Sequence, residues 1–371
     1  MAVAGVGTTE QGRLPGMSAD EIAVDALRLA LADSGLQKAD VDGLITCKSF
    51  GGKGVDTDIG HLAGINPSYS ASLDYGTCNF SLHLAAMVID AGLATTVACV
   101  YGTNQSTAGN RFAAPAGTDG ELTTPYGFFN IAGPAAMAFN RHRHLYGTTE
   151  EQLGAIAVAQ RKWATLNPLA ILREPLTIDG YLSTPYVVRP LRRSDICLIS
   201  DGGAALIVTT LERAATLAAR PVRLLAGGQV TALRQNQLAD NLLRPWLATL
   251  ANQVYPVAGI DREDVDLVYI QDATSVWVLQ MLEAFGFCEA GEGGPFVASG
   301  ATGPGGRLPV NTNGGQLSEA YMWGWLHLCE AVRQLRGECG PRQVARARIA
   351  QYCSTKGFEK GAVSILAAEG S

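Results

Sequence analysis

The sequence lacks the features that mark nucleic-acid-binding, membrane-spanning and zinc-binding proteins. Its 28 Lys and Arg are outnumbered by 34 Asp and Glu, and the net charge of −6 provides no basic surface for a phosphate backbone. No apolar run approaches the roughly 20 residues that a membrane-spanning helix needs. The eight cysteines include no Cys-x-x-Cys pair, and the five histidines stand at no zinc-finger spacing. We therefore expect no nucleic-acid partner, no membrane span and no bound metal.

Charged residues are also scarce, at 17% of the chain, whereas hydrophobic residues make up 47%. This balance is typical of a chain that buries a large core, and it excludes a disordered one. A length of 371 residues exceeds one ordinary core, so we expect two domains or one double domain. The first residues lack the basic segment of a secretory signal, and we expect a cytoplasmic protein.

Segments with the pattern of strands alternate with segments that have the spacing of helices. The spacing predicts helices over residues 19–34 and 80–91, each closed by a glycine, and strands over residues 2–6, 41–46 and 96–101. The continuous apolar run at 96–101 is typical of a strand covered on both faces. This alternation predicts a layered α/β fold with mostly parallel strands.

An internal repeat indicates that the fold is duplicated. Residues 35–45 and 259–269 share the pattern Gly-apolar-x-x-x-Asp-Val-Asp-x-apolar, and both follow a helical segment. Three further pairs occur in the same order: the first strand with 223–229, 73–89 with 308–332, and 96–102 with 347–357. We therefore predict an N-terminal half over residues 1–219 and a C-terminal half over residues 220–371.

Residues 116–195 interrupt this pattern and form a predicted insertion within the N-terminal half. It begins with a glycine-rich loop at 116–121 and continues with helical segments and an Arg-rich stretch at 189–193. Insertions on a rigid scaffold often cover a substrate site. A surface elaboration or a subunit contact is the alternative, and the sequence does not separate the two.

Several motifs together resemble the thiolase superfamily. Residues 200–205 read Ser-Asp-Gly-Gly-Ala-Ala before an apolar strand, and residues 308–321 are similar to that family's Asn-x-x-Gly-Gly loop. Residues 282–289 and 330–337 resemble the sterol-carrier-protein or lipid-transfer-type branch. The resemblance covers nearly the whole chain. It implies a thiolase-like duplicated α-β-α-β-α layered fold, with mixed five-stranded sheets and an inserted loop region.

Cys78 is the first candidate for catalysis. It follows a predicted strand and begins a predicted helix, where the helix N-terminus lowers a thiol's pKa and favours a nucleophile. The resemblance implies that Cys78 accepts the acyl group. The alternative is a cysteine that only packs in the core.

Cys353 is the second candidate, because it follows a predicted strand and precedes a turn at Gly357. The resemblance implies that Cys353 moves the proton on the substrate's α-carbon, with Gly357 in the adjoining loop. Only one glycine lies near Cys353, where the family has several.

Two positions depart from the family's pattern. Tyr321 stands where ketothiolases have a histidine, and a phenol is a poor base at neutral pH but a good hydrogen-bond donor. The resemblance to lipid-transfer-type aldolases implies a proton-exchanging role for Tyr321. Gln271 stands where thiolases have asparagine, and its amide can still donate to an oxyanion.

Residues Asn313, Gly314 and Gly315 form the loop expected to bind substrate. Their N–H groups could face a thioester oxygen, or the glycines could simply make a tight turn. The resemblance implies that coenzyme A enters as a substrate or cosubstrate, with no cofactor bound covalently.

Three functions remain open from the sequence. The first is a thiolase-type acyltransferase that makes or cleaves a carbon–carbon bond through Cys78. The second is a retro-aldol lyase that acts on a β-hydroxyacyl-CoA, with a steroid or aromatic side chain, through Tyr321. The third is a non-catalytic scaffold subunit. The resemblance also implies a homodimer and a small partner subunit with an OB-fold and a zinc ribbon.

Overall fold

The computed structural model describes residues 1–49, 53–74, 77–109, 131–232 and 242–370. The strands are β1 (Ala2–Thr8), β2 (Gly43–Cys47), β3 (Tyr69–Leu73), β4 (Thr96–Asn104), β5 (Tyr186–Val188), β6 (Leu191–Arg192), β7 (Asp201–Thr209), β8 (Val222–Thr231), β9 (Leu267–Ile270), β10 (Ile349–Lys356) and β11 (Lys360–Ala367). The α-helices are α1 (Ala19–Ser34), α2 (Asp56–Ala63), α3 (Cys78–Asp90), α4 (Ala132–Tyr146), α5 (Glu150–Thr165), α6 (Ile178–Ser183), α7 (Leu211–Ala214), α8 (Ala248–Ala258), α9 (Ser275–Ala284), α10 (Gly293–Ala298), α11 (Gly315–Ser318) and α12 (Trp325–Arg336).

Helix α1 shows how local sequence fixes an element. Ser18 and Glu21 form a capping box that satisfies backbone N–H groups at the start of the helix. Gly35 ends it with a φ of 77°, a left-handed conformation that glycine adopts without strain. The helix expected at 19–34 is therefore confirmed at both ends.

Among the described residues, nine strands form one sheet in the order β3-β2-β4-β7-β1-β8-β11-β10-β9. Strands β1 and β8 join its two parts through only two residue pairs, Ala2 with Arg223 and Val3 with Val222. The remaining strands mirror each other about this junction. In both parts the N-terminal strand (β1 or β8) is followed by an antiparallel strand (β7 or β11), another antiparallel strand (β4 or β10) and then a parallel one (β2 or β9). The duplicated layered fold is confirmed.

The strand count differs from the expected five-stranded sheets. The place of β3 is taken in the second part by a single parallel bridge between Val310 and Val268. The next residue, Asn311, has a φ of 50°, and its side chain bonds both the N–H and the carbonyl of Ile270. The asparagine thus replaces ladder hydrogen bonds, and the chain turns away before a strand forms.

The sequence repeat corresponds to a repeated structure. Gly35 and Gly259 both end a helix in the left-handed conformation, and a short 3-10 turn follows each of them. Asp42 and Asp266 then accept hydrogen bonds from backbone N–H groups at the start of the neighbouring parallel strand. The repeated Asp-Val-Asp pattern therefore encodes one strand-entry motif used twice. The boundary at residue 219 stays a prediction.

Three hydrophobic clusters separate the layers. One lies between α1 and strands β1, β2, β4 and β7. A second, the central cluster, surrounds α3 and α12, and a third, the outer cluster, contains α8 and α9. Side chains of β9 point alternately to its two faces. Leu267 and Tyr269 lie in the central cluster, and Val268 and Ile270 lie in the outer cluster. The chain therefore forms five layers, with α3 and α12 in the middle.

The described part of the predicted insertion packs onto the second half. Leu153, Ile156 and Ala157 of α5 belong to the same outer cluster as Val276 and Leu279 of α9. The glycine-rich loop predicted at 116–121 lies outside the described residues. The insertion thus shares a core with the C-terminal part of the chain. In the part of the chain that is described, no helix is long and apolar enough to cross a membrane.

Candidate functional site

Cys78 occupies the helix start that the sequence predicted. Thr77 is the N-cap residue, and Cys78 is the first residue of α3. The thiol is fully buried in the central cluster. Burial raises the pKa of Cys78 well above its ordinary value, and the nearby thiols of Cys329, Cys99 and Cys47 raise it further. The thiol form of Cys78 therefore prevails at neutral pH, despite the helix N-terminus.

The sequence predicted that Cys353 follows a strand and precedes the turn at Gly357, but Cys353 lies within the strand. It is an interior residue of β10, which continues to Lys356 because the hairpin to β11 is tight and turns at Gly357 with a φ of 50°. The Cys353 Sγ accepts a hydrogen bond from Gln351 Nε2 at 3.0 Å. Burial raises the pKa of the Cys353 thiol. Gly357 does lie in the turn that was predicted for it.

The thiols of Cys78 and Cys353 lie on opposite sides of β10. The residue after Cys353, Ser354, faces α3: its hydroxyl accepts from Asn79 Nδ2 at 2.9 Å and lies 3.5 Å from Thr77 Oγ1. Because side chains alternate along a strand, Cys353 points into the outer cluster. Cys78 lies in the central cluster. The backbone of β10 therefore stands between the two thiols.

Gln271 joins the end of β9 to β10. Its backbone N–H donates to the carbonyl of Cys353 at 2.9 Å, and its side-chain Oε1 accepts from the N–H of Thr355 at 3.0 Å. The second contact fixes the orientation of the buried amide, so that Nε2 is directed away from Thr355. Gln271 is thus held in one position next to Cys353.

Tyr321 is held through its backbone by Ser200. The Ser200 hydroxyl accepts from the Tyr321 N–H at 2.9 Å and donates to the Tyr321 carbonyl at 3.1 Å. The Tyr321 side chain is buried in the outer cluster that also contains Cys353, and its ring lies 5.5 Å from that of Trp323. The structure thus places Tyr321 and Cys353 in the same outer cluster, with Gln271 bonded to the Cys353 backbone, and places Cys78 in the central cluster.

The Asn313–Gly315 turn adjoins this region. Gly314 and Gly315 have φ angles of 103° and 66°, which favour glycine, and a Cβ on Gly315 would collide with Asp272 and Gln160. The side-chain nitrogen of Asn313 donates to Glu319 and to His327 Nδ1, so both of its N–H groups are used inside the protein. The side chain of Asn313 therefore holds the turn together. Its predicted part in substrate binding stays a prediction.

Sequence reasoning did not single out the carboxylate that supports this turn. Asp272, next to Gln271, accepts from the N–H groups of Gln316 and Leu317 and from His327 Nε2 at 2.8 Å. It thereby ties the end of β9 to the start of α11. Its position beside Gln271 in the motif was a signal, but its partners lie 44 to 55 residues away in sequence.

Glu319 is the second carboxylate that the sequence did not single out. It is buried, and Asn167 Nδ2 and Asn313 Nδ2 donate to its two oxygens. Burial, aided by the charge of Glu330, raises the pKa of Glu319 to about 7, although both amide donors and His327 act in the opposite direction. This carboxyl group therefore titrates near neutral pH.

A cavity of about 510 Å³ lies elsewhere, at the start of α5. Its lining includes Arg143, Glu150, Tyr186 and Arg192, and none of the eight predicted site residues contributes to it. The described residues contain no group of three or more His, Cys, Asp or Glu side chains that could hold a metal ion.

Comparison with known proteins places these features in a family. Residues 228–368 match the model of the thiolase C-terminal domain-like family. The chain is 35% identical over 362 residues to a 17-hydroxy-3-oxo-4-pregnene-20-carboxyl-CoA lyase from Mycobacterium tuberculosis, and the match covers 91% of each protein. It is 33% identical to a steroid side-chain-cleaving aldolase from Thermomonospora curvata, over 91% of this chain and 90% of that protein.

A solved structure supports the same assignment. The Ltp2-ChsH2(DUF35) aldolase superposes with a TM-score of 0.90 and 32% sequence identity, over 100% of this chain and 98% of that one. The resemblance seen in the motifs is therefore confirmed along the whole chain. This chain belongs to the thiolase superfamily, in its sterol-carrier-protein or lipid-transfer-type branch, and is an enzyme of that family.

Proposed function

We propose that the chain is a carbon–carbon lyase that cleaves a β-hydroxyacyl-CoA by a retro-aldol reaction. The β-hydroxyl group loses its proton and becomes a carbonyl group. The bond between the α- and β-carbons breaks, and its electron pair passes into the thioester as an enolate. Protonation of the α-carbon then gives a shortened acyl-CoA. The reaction needs no oxidant and no covalent acyl-enzyme.

The position of the cysteines is the observation that carries this proposal. A thiolase-type reaction through Cys78 and Cys353 needs both thiols at one substrate, whereas here they face opposite sides of β10. Burial raises the pKa of both thiols, and this opposes the thiolate form that attacks an acyl group. A retro-aldol reaction requires neither cysteine.

Tyr321 and Gln271 take the chemical roles in this proposal. Tyr321 exchanges a proton with the β-oxygen, and its backbone is fixed by Ser200. Gln271 donates its amide N–H to the enolate oxygen, since its Oε1 is already held by Thr355. Gly314 and Gly315 allow the turn beside them to approach the thioester closely.

The relatives support a bulky substrate. Two of them, at 35% and 33% identity, are named for the cleavage of pregnene or steroid side chains. We propose a steroid-like or similarly bulky acyl group for this chain as well, joined to coenzyme A as the substrate's thioester.

The test compares cleavage by the wild type with that by two variants. Purified protein is incubated with a β-hydroxyacyl-CoA that carries a ring system on its β-carbon, and both products are measured by mass spectrometry. Cys78→Ala should retain cleavage, and Tyr321→Phe should reduce kcat by about a hundredfold or more. Tyr146→Phe, on an exposed tyrosine, is the matched control. Full activity in Tyr321→Phe would refute the proposal.

A thiolase-type acyltransferase is the second candidate, because Cys78 lies at a helix N-terminus. Intact mass after incubation with acyl-CoAs decides between the two. An acyl adduct that disappears in Cys78→Ala would favour the acyltransferase.

We also propose a homodimer and a small partner subunit. The Ltp2-ChsH2(DUF35) aldolase is named as an assembly of two components, which supports the second proposal. Co-purification with the chain, followed by light scattering, would determine the composition of the assembly.

A further inference from the structure

A continuous row of buried hydrogen bonds links the insertion to the end of β9. Asn167, just after α5, donates from Nδ2 to Glu319 Oε1 and to the carbonyl of Asn313, both at 2.8 Å. Asn313 Nδ2 donates to Glu319 and, at 3.0 Å, to His327 Nδ1. His327 Nε2 bonds Asp272 at 2.8 Å. All five side chains are at most 5% exposed.

The donors and acceptors along this row determine where the protons lie. Since Asn313 donates to His327 Nδ1, the imidazole proton is on Nε2 and points to Asp272. Each oxygen of Glu319 receives an amide N–H. A protonated Glu319 would carry an O–H that neither amide nitrogen can accept, and its oxygens would accept more weakly from the two amides. The row is therefore fully satisfied only when Glu319 is ionised.

The same insertion segment also holds the backbone around Glu319. The N–H groups of Ile171 and Leu172 donate to the carbonyls of Glu319 and Ser318 at 3.0 and 2.9 Å. Arg161 of α5 donates from Nε to the hydroxyl of Ser318 at 2.9 Å. Tyr321 follows two residues after Glu319. The inserted region thus holds the segment that contains Tyr321 by hydrogen bonds. Glu319 is the buried side chain of that segment to which the inserted region bonds.

We propose that Glu319 is a positioning residue: its bonds to Asn167 and Asn313 set the place of Tyr321 and make the reactive turn depend on the inserted region. This inference rests on the proposed role of Tyr321 in the lyase reaction. It assigns no contact between Glu319 and the substrate. A displacement of about 1 Å at a reacting group is enough to lower a rate up to a hundredfold.

The charge of Glu319 gives the proposal a signature that simple packing would not produce. Helix α12 presents Glu330 and His327 to it, Arg342 pairs with Glu330, and Asp272 lies beyond His327. With its pKa raised to about 7, Glu319 changes charge in the range where the enzyme would work. Protonation weakens both amide contacts and adds an O–H that neither amide nitrogen can accept, so kcat should fall as the pH decreases through this value.

The test measures kcat and KM from about pH 5.5 to 8.5 for the wild type, Glu319→Gln and Glu338→Gln. Glutamine at 319 places an NH2 group where the protonated acid has its O–H. We expect Glu319→Gln to lower kcat about tenfold to a hundredfold at pH 8, to lose the step near pH 7, and to leave KM within about twofold. Glu338, which is exposed, is the matched control and should behave as the wild type.

Asn167→Ser provides a second variant in case Glu319→Gln folds poorly. It removes one donor to Glu319 but leaves the carboxylate, so the pKa of Glu319 should rise and the step in kcat should move to higher pH. An unshifted step in Asn167→Ser, or a wild-type pH profile in Glu319→Gln, would overturn the proposal. Full activity in Tyr321→Phe would instead refute the proposed function, so the two failures are distinguishable.

Discussion

The buried carboxyl group of Glu319 should make the folding stability depend on pH. Its pKa is about 7 in the folded chain and near its ordinary value of 4.5 in the unfolded chain. Between these values the folded state holds a proton that the unfolded state has lost. Stability therefore falls as the pH rises from about 4.5 to 7 and levels off above it. Because one pKa unit is worth about 1.4 kcal/mol, the loss amounts to about 3 kcal/mol.

Urea unfolding of the wild type and Glu319→Gln at about pH 5 and pH 8 measures this loss. The free energy of unfolding of the wild type, relative to that of the variant, should fall by about 2.5 kcal/mol between the two conditions, because the unfolded chain is already mostly ionised at about pH 5. Other buried groups titrate in this range, such as His83 with a pKa of about 4 and Asp195 with a pKa of about 6. They are present in both proteins, so their contributions cancel in the difference.

A difference in stability that stays constant with pH would refute the reasoning. It would mean that Glu319 ionises in the folded chain as easily as in water. The proposed signature in kcat would then lose its physical basis. A change in the expected direction would also show that the folded chain is less stable with Glu319 ionised, the form proposed to be active, than with Glu319 protonated. The reason is that ionisation is costly in a buried site.

Two further perturbations test separate parts of the structure. Burial lowers the pKa of His83 to about 4, so the wild type should lose about 3 kcal/mol of stability as the pH falls from about 6.5 to 4. His83→Gln should lack this loss in acid unfolding experiments, and an unchanged acid profile would contradict the assigned burial. Gly315→Ala should lower the free energy of unfolding by about 3 kcal/mol, because a Cβ meets Asp272 at a left-handed φ. Gly357→Ala, at a similar φ but in open space, should cost only about 1 kcal/mol, and equal losses in the two variants would count against the collision.

Most sequence predictions that were confirmed rest on short sequence patterns, such as helix caps and repeated motifs. The capping box at Ser18 and the helix ends at Gly35 and Gly259 are set by residues a few positions apart. The Asp-Val-Asp repeat is readable because the same short pattern occurs twice, although each aspartate bonds to a neighbouring strand 54 or 83 residues away. Such features read directly from the sequence, and together with the family motifs they predicted a duplicated layered α/β fold.

Sequence reasoning failed where the outcome depended on how far a strand continues. Cys353 was expected to follow its strand, but β10 continues through Cys353 to the tight hairpin at Gly357, because its backbone pairs with β11 up to Lys356. The expected fifth strand of the second half is absent from the described residues because Asn311 replaces its hydrogen bonds with a side chain. The predicted roles of the site residues remain predictions.

The sequence by itself determined the fold, the family and the residue types available at the turns. Only the tertiary structure decided which of these groups share an environment. Cys78 and Cys353 are separated by a strand whose faces point into different layers. Glu319 titrates near neutral pH because burial and partners such as Asn167, 152 residues away, meet at one place. Burial and long-range hydrogen bonds set a group's chemistry, and these arise only when distant segments are packed together.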